Sequence, residues 1–158
     1  MTLEDALRIV INPGLALLPP GFDSLPARAM LLAIGQQEGD RFRARAQYHG
    51  GPARGFFQFE RGGGVKGVLA HPSTKIVHSV LDRLQYKDHS PEACHTAIEH
   101  NDALATVFAR LLLYTLPGAL CCSGEFDESW ARYIAAWRPG KPHRATWNEY
   151  YDNAWGVL

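Results

Sequence analysis

Apolar residues recur along this chain at spacings of three and four, set off by caps and breakers, with no sustained strand alternation. Thr2 precedes a Leu3, Ala6, Leu7, Val10 stripe, Asp5 is placed to close a capping box, and Asn12-Pro13-Gly14 is expected to stop that helix. Residues 15–22 read as a Pro-rich connection. Ser24 is a good N-cap, Pro26 sits in the first turn, and a helix is predicted to about Glu38. Over 39–64 Gly and Arg become frequent and periodicity fades, apart from an aromatic knot at Phe56, Phe57 and Phe59; an irregular loop closed by Gly62-Gly63-Gly64 is expected. Helical pattern resumes over 65–70 and then under a Ser73 cap with Ile76, Val77, Val80, Leu81 and Leu84. Ser90-Pro91 opens another segment to about His100, and Asn101 caps the apolar run 103–114, the expected central buried helix, ended by Pro117-Gly118. Asp127 or Glu128 opens a helix through Trp137, Pro139-Gly140-Lys141-Pro142 breaks it, and a last amphipathic segment covers 144–155. The expected class is all-α.

With 158 residues, 46% of them hydrophobic, the chain suits one compact domain over 1–158. Lys plus Arg equals Asp plus Glu at 16 each, so net charge offers no case for nucleic acid, and only the arginines of 41–54 form a local basic patch. Residues 1–11 carry Glu4 and Asp5 where a signal peptide would be positive, and no apolar run approaches the ~18 residues of a membrane span. The expectation is a monomer made in the cytoplasm without a signal peptide; to act on a cell wall it would have to be delivered by another route, such as phage lysis or a virion. Cys94, Cys121 and Cys122 are odd in number with two adjacent, and read as reduced, buried thiols.

One residue breaks the pattern. Ala27, Met30, Leu31 and Ile34 form a core-facing stripe whose next member is Glu38. Desolvation and the negative end of the helix dipole both disfavour a carboxylate there, and both raise its pKa, as a general acid near neutral pH requires. Two other outcomes stay open: the helix frays before Glu38 and frees it to solvent, or Arg41, Arg43, Arg45 or Arg54 pairs with it and lowers its pKa.

The segment 34–44 (Ile-Gly-Gln-Gln-Glu-Gly-Asp-Arg-Phe-Arg-Ala) followed by Gly51-Pro-Ala-Arg-Gly55-Phe56-Phe57-Gln58-Phe59 resembles the goose-type lysozyme and lytic transglycosylase superfamily. That family's signature is a helix ending in Glu, usually followed by Ser and then an aromatic, with a Gly-Ala-x-Gly turn into Leu-Met-Gln about twenty residues later. By this resemblance Glu38 is the catalytic acid, Gly55 to Gln58 the Gly-Leu-Met-Gln element, and the helix over 101–113 the family's central helix. Tyr133 stands where the family has a Tyr-Asn-Ala-Gly motif and would steady the acid. The likeness is specific over 31–60, about a fifth of the chain. Gly39 replaces the usual Ser, only the Tyr of the second motif remains, and looseness of this kind looks like phage-encoded relatives.

The resemblance implies a lysozyme-like domain whose 39–64 loop lines a cleft, cutting the β-1,4 bond of peptidoglycan glycan strands. A single Glu would serve as acid and then base, with no cofactor, and attack by water or by the substrate's own 6-hydroxyl would decide the product. Gln58 offers both donor and acceptor to an N-acetyl group, Phe57 is a stacking candidate alongside Phe56, Tyr48, Trp137 and Trp147, and Arg54 is a partner for peptide carboxylates. Glu60 and Asp40 are the candidates for a second carboxylate, Glu60 the better placed to share a face with Gln58. The rival chemistry is a metal site from His89, Cys94, His95 and His100, which lacks any recognised ligand spacing, so no metal is expected. The non-enzyme alternative is a lysozyme-like binding or structural module, for example in a phage particle. A deep groove with Glu38 at its floor, near Tyr133 and Gln58, would favour catalysis; a filled groove or an Arg-paired Glu38 would favour the module.

Overall fold

Side-chain caps start the helices where the sequence places them. In the computed structural model, which describes residues 1–158, Thr2 Oγ1 accepts from the Asp5 N–H (3.1 Å), Ser24 Oγ from Ala27 (3.2 Å), Ser90 Oγ from Ala93 (3.2 Å) and Asn101 Oδ1 from Leu104 (3.0 Å). The α-helices are α1 (Leu3–Ala6), α2 (Asn12–Leu15), α3 (Leu25–Glu38), α4 (Lys66–Ala70), α5 (Ile76–Arg83), α6 (Pro91–His100), α7 (Asp102–Tyr114), α8 (Phe126–Trp137) and α9 (Arg144–Gly156). The only β-type pairings are isolated antiparallel bridges, Ala46 to Arg54 and Arg54 to Phe59. The chain is all-helical.

Several local expectations are corrected. Pro13-Gly14 does not stop the first helix. A wider turn over Leu7–Ile11, in which the Asn12 N–H returns to Leu7 O, carries the chain on into α2. Widening the turn relieves the clash a proline ring makes with the carbonyl four residues back. Gly14 is a crossing point: a Cβ there would lie 2.4 Å from Thr106 Cβ of α7 and 2.7 Å from Ala103 O. Thr106 Oγ1 donates to Val10 O (3.1 Å) across the same crossing. Asp5 turns to Arg8 (2.9 Å), so the capping box is made on one side only. Ser73 lies in a 3-10 turn, Pro72–Thr74, capped by His71 Nδ1, and α5 begins three residues after it. Glu125, not Asp127 or Glu128, precedes α8.

The core is built around α3 and α7. Residues 104–113 of α7 are all buried, as the apolar run implies, and 29–36 of α3 are buried on every side rather than along one stripe. α9 packs along α3, and the two are locked by Gln36 Nε2 donating to Tyr150 O (2.9 Å) and Thr146 Oγ1 donating to Gln37 Oε1 (2.9 Å). One hydrophobic cluster runs from Ala6 to Ala154. Cys94 and Cys121 lie in it as free thiols, whereas Cys122, also free, is exposed, contrary to the expectation of three buried cysteines.

Candidate functional site

Glu38 occupies the last residue of α3, and the helix does not fray: the Gly39 N–H still bonds Gly35 O at 3.1 Å. Asp40, Arg41 and Phe42 then take φ of 46°, 54° and 60°, a left-handed turn that costs roughly 1–2 kcal/mol per non-glycine residue. Burial of Phe42 offsets the cost. Its ring lies over Gly35, where a Cβ would meet ring Cζ at 2.1 Å, and stands edge-on to Phe56 at 5.4 Å. Arg43 and Ala44 N–H groups close the turn on Gly39 O (2.8 and 3.0 Å). The chain doubles back so tightly that a Cβ on Gly39 would stand 2.5 Å from Phe56 O. The serine usual at this position in the resembling family has no room here.

The Glu38 carboxyl is half-buried, and Oε1 accepts a short hydrogen bond from the Tyr133 hydroxyl of α8. Tyr133 is buried and stacks on Trp147 of α9 at 4.8 Å and 14°, while Trp147 Nε1 donates to Ser129 Oγ (3.0 Å). An aromatic column therefore fixes the one group that touches the acid. No cation pairs with Glu38. Arg41 reaches Glu149 (3.5 Å) and stacks on Tyr150, Arg45 pairs with Asp102 (2.7 Å), and Arg54 with Glu99 (2.9 Å). Burial, opposed only by the Tyr133 hydrogen bond, pushes the Glu38 pKa up to about 7. Its own burial and the Glu38 charge push Tyr133 up as well, so the tyrosine stays a donor.

Glu38 opens on a cleft of about 1030 Å³. Its lining includes Gln58, Glu60 and the glycines at 62–64 from the 39–64 segment, Thr115 and Leu116 beyond α7, and Trp137 at the end of α8 with residues 138–141 after it. Trp137 Nε1 donates to Phe57 O (2.9 Å) and ties the end of α8 to the 39–64 segment. Gln58 sits at φ 48° with its Nε2 donating to Gly55 O (2.9 Å), which leaves Oε1 as its unused acceptor. Glu60 is exposed at the cleft edge. Asp40 is not on the cleft and accepts from the Tyr48 hydroxyl (2.8 Å).

Two site assignments change. Phe57 is completely buried and cannot stack on a ligand: Phe56 and Phe57 are the middle residues of a turn that the Gln58 N–H closes on Gly55 O (3.0 Å), and both are buried together with Phe59. Arg54 is used up on Glu99 and the Gly51 and Ala53 carbonyls and does not line the cleft. Tyr133 touches Glu38 and does not line the cleft. Of the other aromatics considered, Trp147 and Phe56 are core, while Tyr48 and Trp137 line the cleft. Arg138 and Lys141, which sequence reasoning did not single out, bring positive charge to the cleft wall. The breaker run 139–142 was their only signal.

The rival metal ligands are dispersed. His95 Nε2 engages the Pro52 and Phe59 carbonyls (2.9 and 3.1 Å), His89 pairs with His78 (3.1 Å) and Asp82 (3.2 Å), and Cys94 is in the core. No three His, Cys, Asp or Glu side chains converge as a ligand set. No protein-family model, curated protein or solved structure matches this chain.

Proposed function

We propose that this protein is a lysozyme-like glycosidase that cleaves the β-1,4 bond of peptidoglycan, with Glu38 as its general acid and base. The observation that carries the reading is a half-buried carboxyl, free of any cation and raised to about 7, opening on a large cleft. Because Tyr133 donates to Oε1, the proton of the acid form resides on Oε2, which has no protein partner. That proton passes to the glycosidic oxygen as the C1–O bond breaks. The resulting carboxylate then takes a proton from the attacking oxygen, of water for a lysozyme product or of the sugar's 6-hydroxyl for an anhydro product. Gln58 Oε1 is an acceptor for the N–H of an N-acetyl group, and Trp137 offers a face to a sugar ring. Glu60, exposed at the edge, is a weak candidate for a second carboxylate, so a single-acid mechanism is preferred. The protein would reach the wall through phage lysis or as part of a virion.

Purified sacculi test this directly. Glu38→Gln should abolish release of soluble muropeptides while leaving the helical circular dichroism unchanged, and mass spectrometry of wild-type products separates hydrolysis from anhydro formation. Undiminished release by the variant would rule the mechanism out. Wild-type chain that binds sacculi without releasing muropeptides would indicate the non-catalytic module, a reading favoured by Gly39 and by the absence of a second buried carboxylate.

A further inference from the structure

Arg138 and Lys141 line the same cleft as Glu38, and both are exposed. Their donors are unspent. Every arginine of the chain except Arg43 and Arg138 is engaged by a carboxylate or a backbone carbonyl. Arg43 does not line the cleft, and Lys141 enters none of the ion pairs either.

The backbone that carries these cations is held in an unfavourable form. Arg138 caps α8 in the left-handed region (φ 49°, ψ 51°), with its N–H on Ile134 O at 3.0 Å. Glycine fills that position without strain and arginine does not. Before it, Trp137 is tied to Phe57 O and packs on Phe59 at 5.8 Å; after it, the Pro139 ring fixes the next φ. Strain of this kind persists only where the surroundings impose it. Against the two cations the cleft sets two acids, Glu38 and Glu60. Glu38 keeps its proton up to about pH 7, and Glu60 pairs with neither cation. With Glu38 protonated, positive charge exceeds negative among the carboxyl, guanidinium and ammonium groups that line the cleft.

We infer that Arg138 and Lys141 recognise the carboxylates that muramic residues carry on their lactyl arms, and so make the cleft select bacterial wall strands over neutral N-acetylglucosamine polymers. This rests on the proposed glycan-binding role of the cleft and narrows its substrate. Both polymers offer the β-1,4 link and the N-acetyl group that Glu38 and Gln58 would address. They differ in the negative charge of the lactyl arm, whether its own carboxylate or those of the attached peptide. A guanidinium fork suits a planar carboxylate, and an ammonium group adds a second positive charge with rotatable donors.

The test measures binding by calorimetry to the intact chain carrying Glu38→Gln, so that no probe is cut. The probes are short peptide-bearing strands, the same strands stripped of peptide by an amidase, and chitohexaose. The readout is the ratio of strand affinity to chitohexaose affinity. A preference for the charged strands is expected. It should fall about threefold with Arg138→Gln or Lys141→Gln and about tenfold with both, as for exposed ion pairs. Raising the salt to about 0.5 M should shrink it. Lys87→Gln, which removes an exposed charge away from the cleft, should leave the ratio as it was. A preference shown by stripped strands assigns the ligand to the arm's own carboxylate, and one confined to peptide-bearing strands assigns it to the peptide; either upholds the inference. Equal binding of strands and chitohexaose, a preference that survives the double substitution, or an equal loss with Lys87→Gln overturns it. If the preference is found but the wild-type chain releases no muropeptide from sacculi, the glycosidase reading alone is lost. If sacculi are degraded without the preference, this inference alone is lost.

Discussion

Replacing Glu38 by Gln should stabilise the protein above neutral pH and leave it nearly unchanged at pH 4. In the folded chain burial raises the carboxyl from 4.5 to about 7. Between those two values the native state holds a proton that the unfolded chain has released, so stability falls as pH rises through this window and levels off above it. A shift of this size corresponds to about 3 kcal/mol at pH 8. Glutamine has nearly the same shape, keeps an oxygen for the Tyr133 hydroxyl and carries no charge to desolvate, so it escapes that penalty. Other titrating groups cancel in the difference between the two proteins. Urea unfolding at pH 4, 6 and 8 reads the effect. With a slope of about 2 kcal/mol/M for a chain of this size, the midpoint of the variant should exceed the wild type by about 1.5 M at pH 8 and coincide with it at pH 4. A difference that does not change with pH, or a variant less stable at pH 8, would refute the claim that the carboxyl is held in a desolvating site.

The hydrogen bond from Tyr133 is the only influence lowering the Glu38 pKa, so Tyr133→Phe should raise that pKa further and move the alkaline limb of a kcat–pH profile upward by about one unit. An unmoved limb would separate Tyr133 from the acid. Gly39→Ser drives a Cβ to 2.5 Å from Phe56 O, and should cost about 2 kcal/mol, or about 5 °C in Tm by calorimetry, with Gly21→Ser, where nothing lies within 4 Å, as the neutral control. Gly14→Ala, which meets Thr106 Cβ at 2.4 Å, should lower the urea midpoint by the equivalent of about 2 kcal/mol, whereas Gly67→Ala, in open space within α4, should hold or raise it. Equal effects at the two glycines would undo the assignment of Gly14 as a crossing point.

What could be read in the sequence was what short stretches of chain decide by themselves. A cap needs only a hydroxyl or amide within three residues of a free N–H, and Thr2, Ser24, Ser90 and Asn101 supply it regardless of what packs around them. The long apolar run of α7 had to be buried whatever its neighbours were. Local rules failed where a distant surface offers a better bargain than the local preference: the first helix continues past Pro13 because Gly14 and the Thr106 hydroxyl give it a close seat on α7. The stripe that first singled out Glu38 also understated α3, since α9, whose place no local pattern reveals, covers a further face.

Tertiary structure alone decided the character of Glu38. Whether a carboxyl at a helix end is solvated, paired with arginine or desolvated depends on side chains far away in sequence. Asp102, Glu99 and Glu149 draw Arg45, Arg54 and Arg41 elsewhere, and Tyr133, braced on Trp147, becomes the one group that touches the acid. The same holds for the aromatic knot, where the packed turn over residues 55–58 buries Phe56 and Phe57 in the core and leaves Gln58 on the cleft. Spacing along a chain can nominate a residue for chemistry, because helix periodicity is local. Its electrostatic surroundings are set by side chains about a hundred residues away, and only the packed chain brings those together.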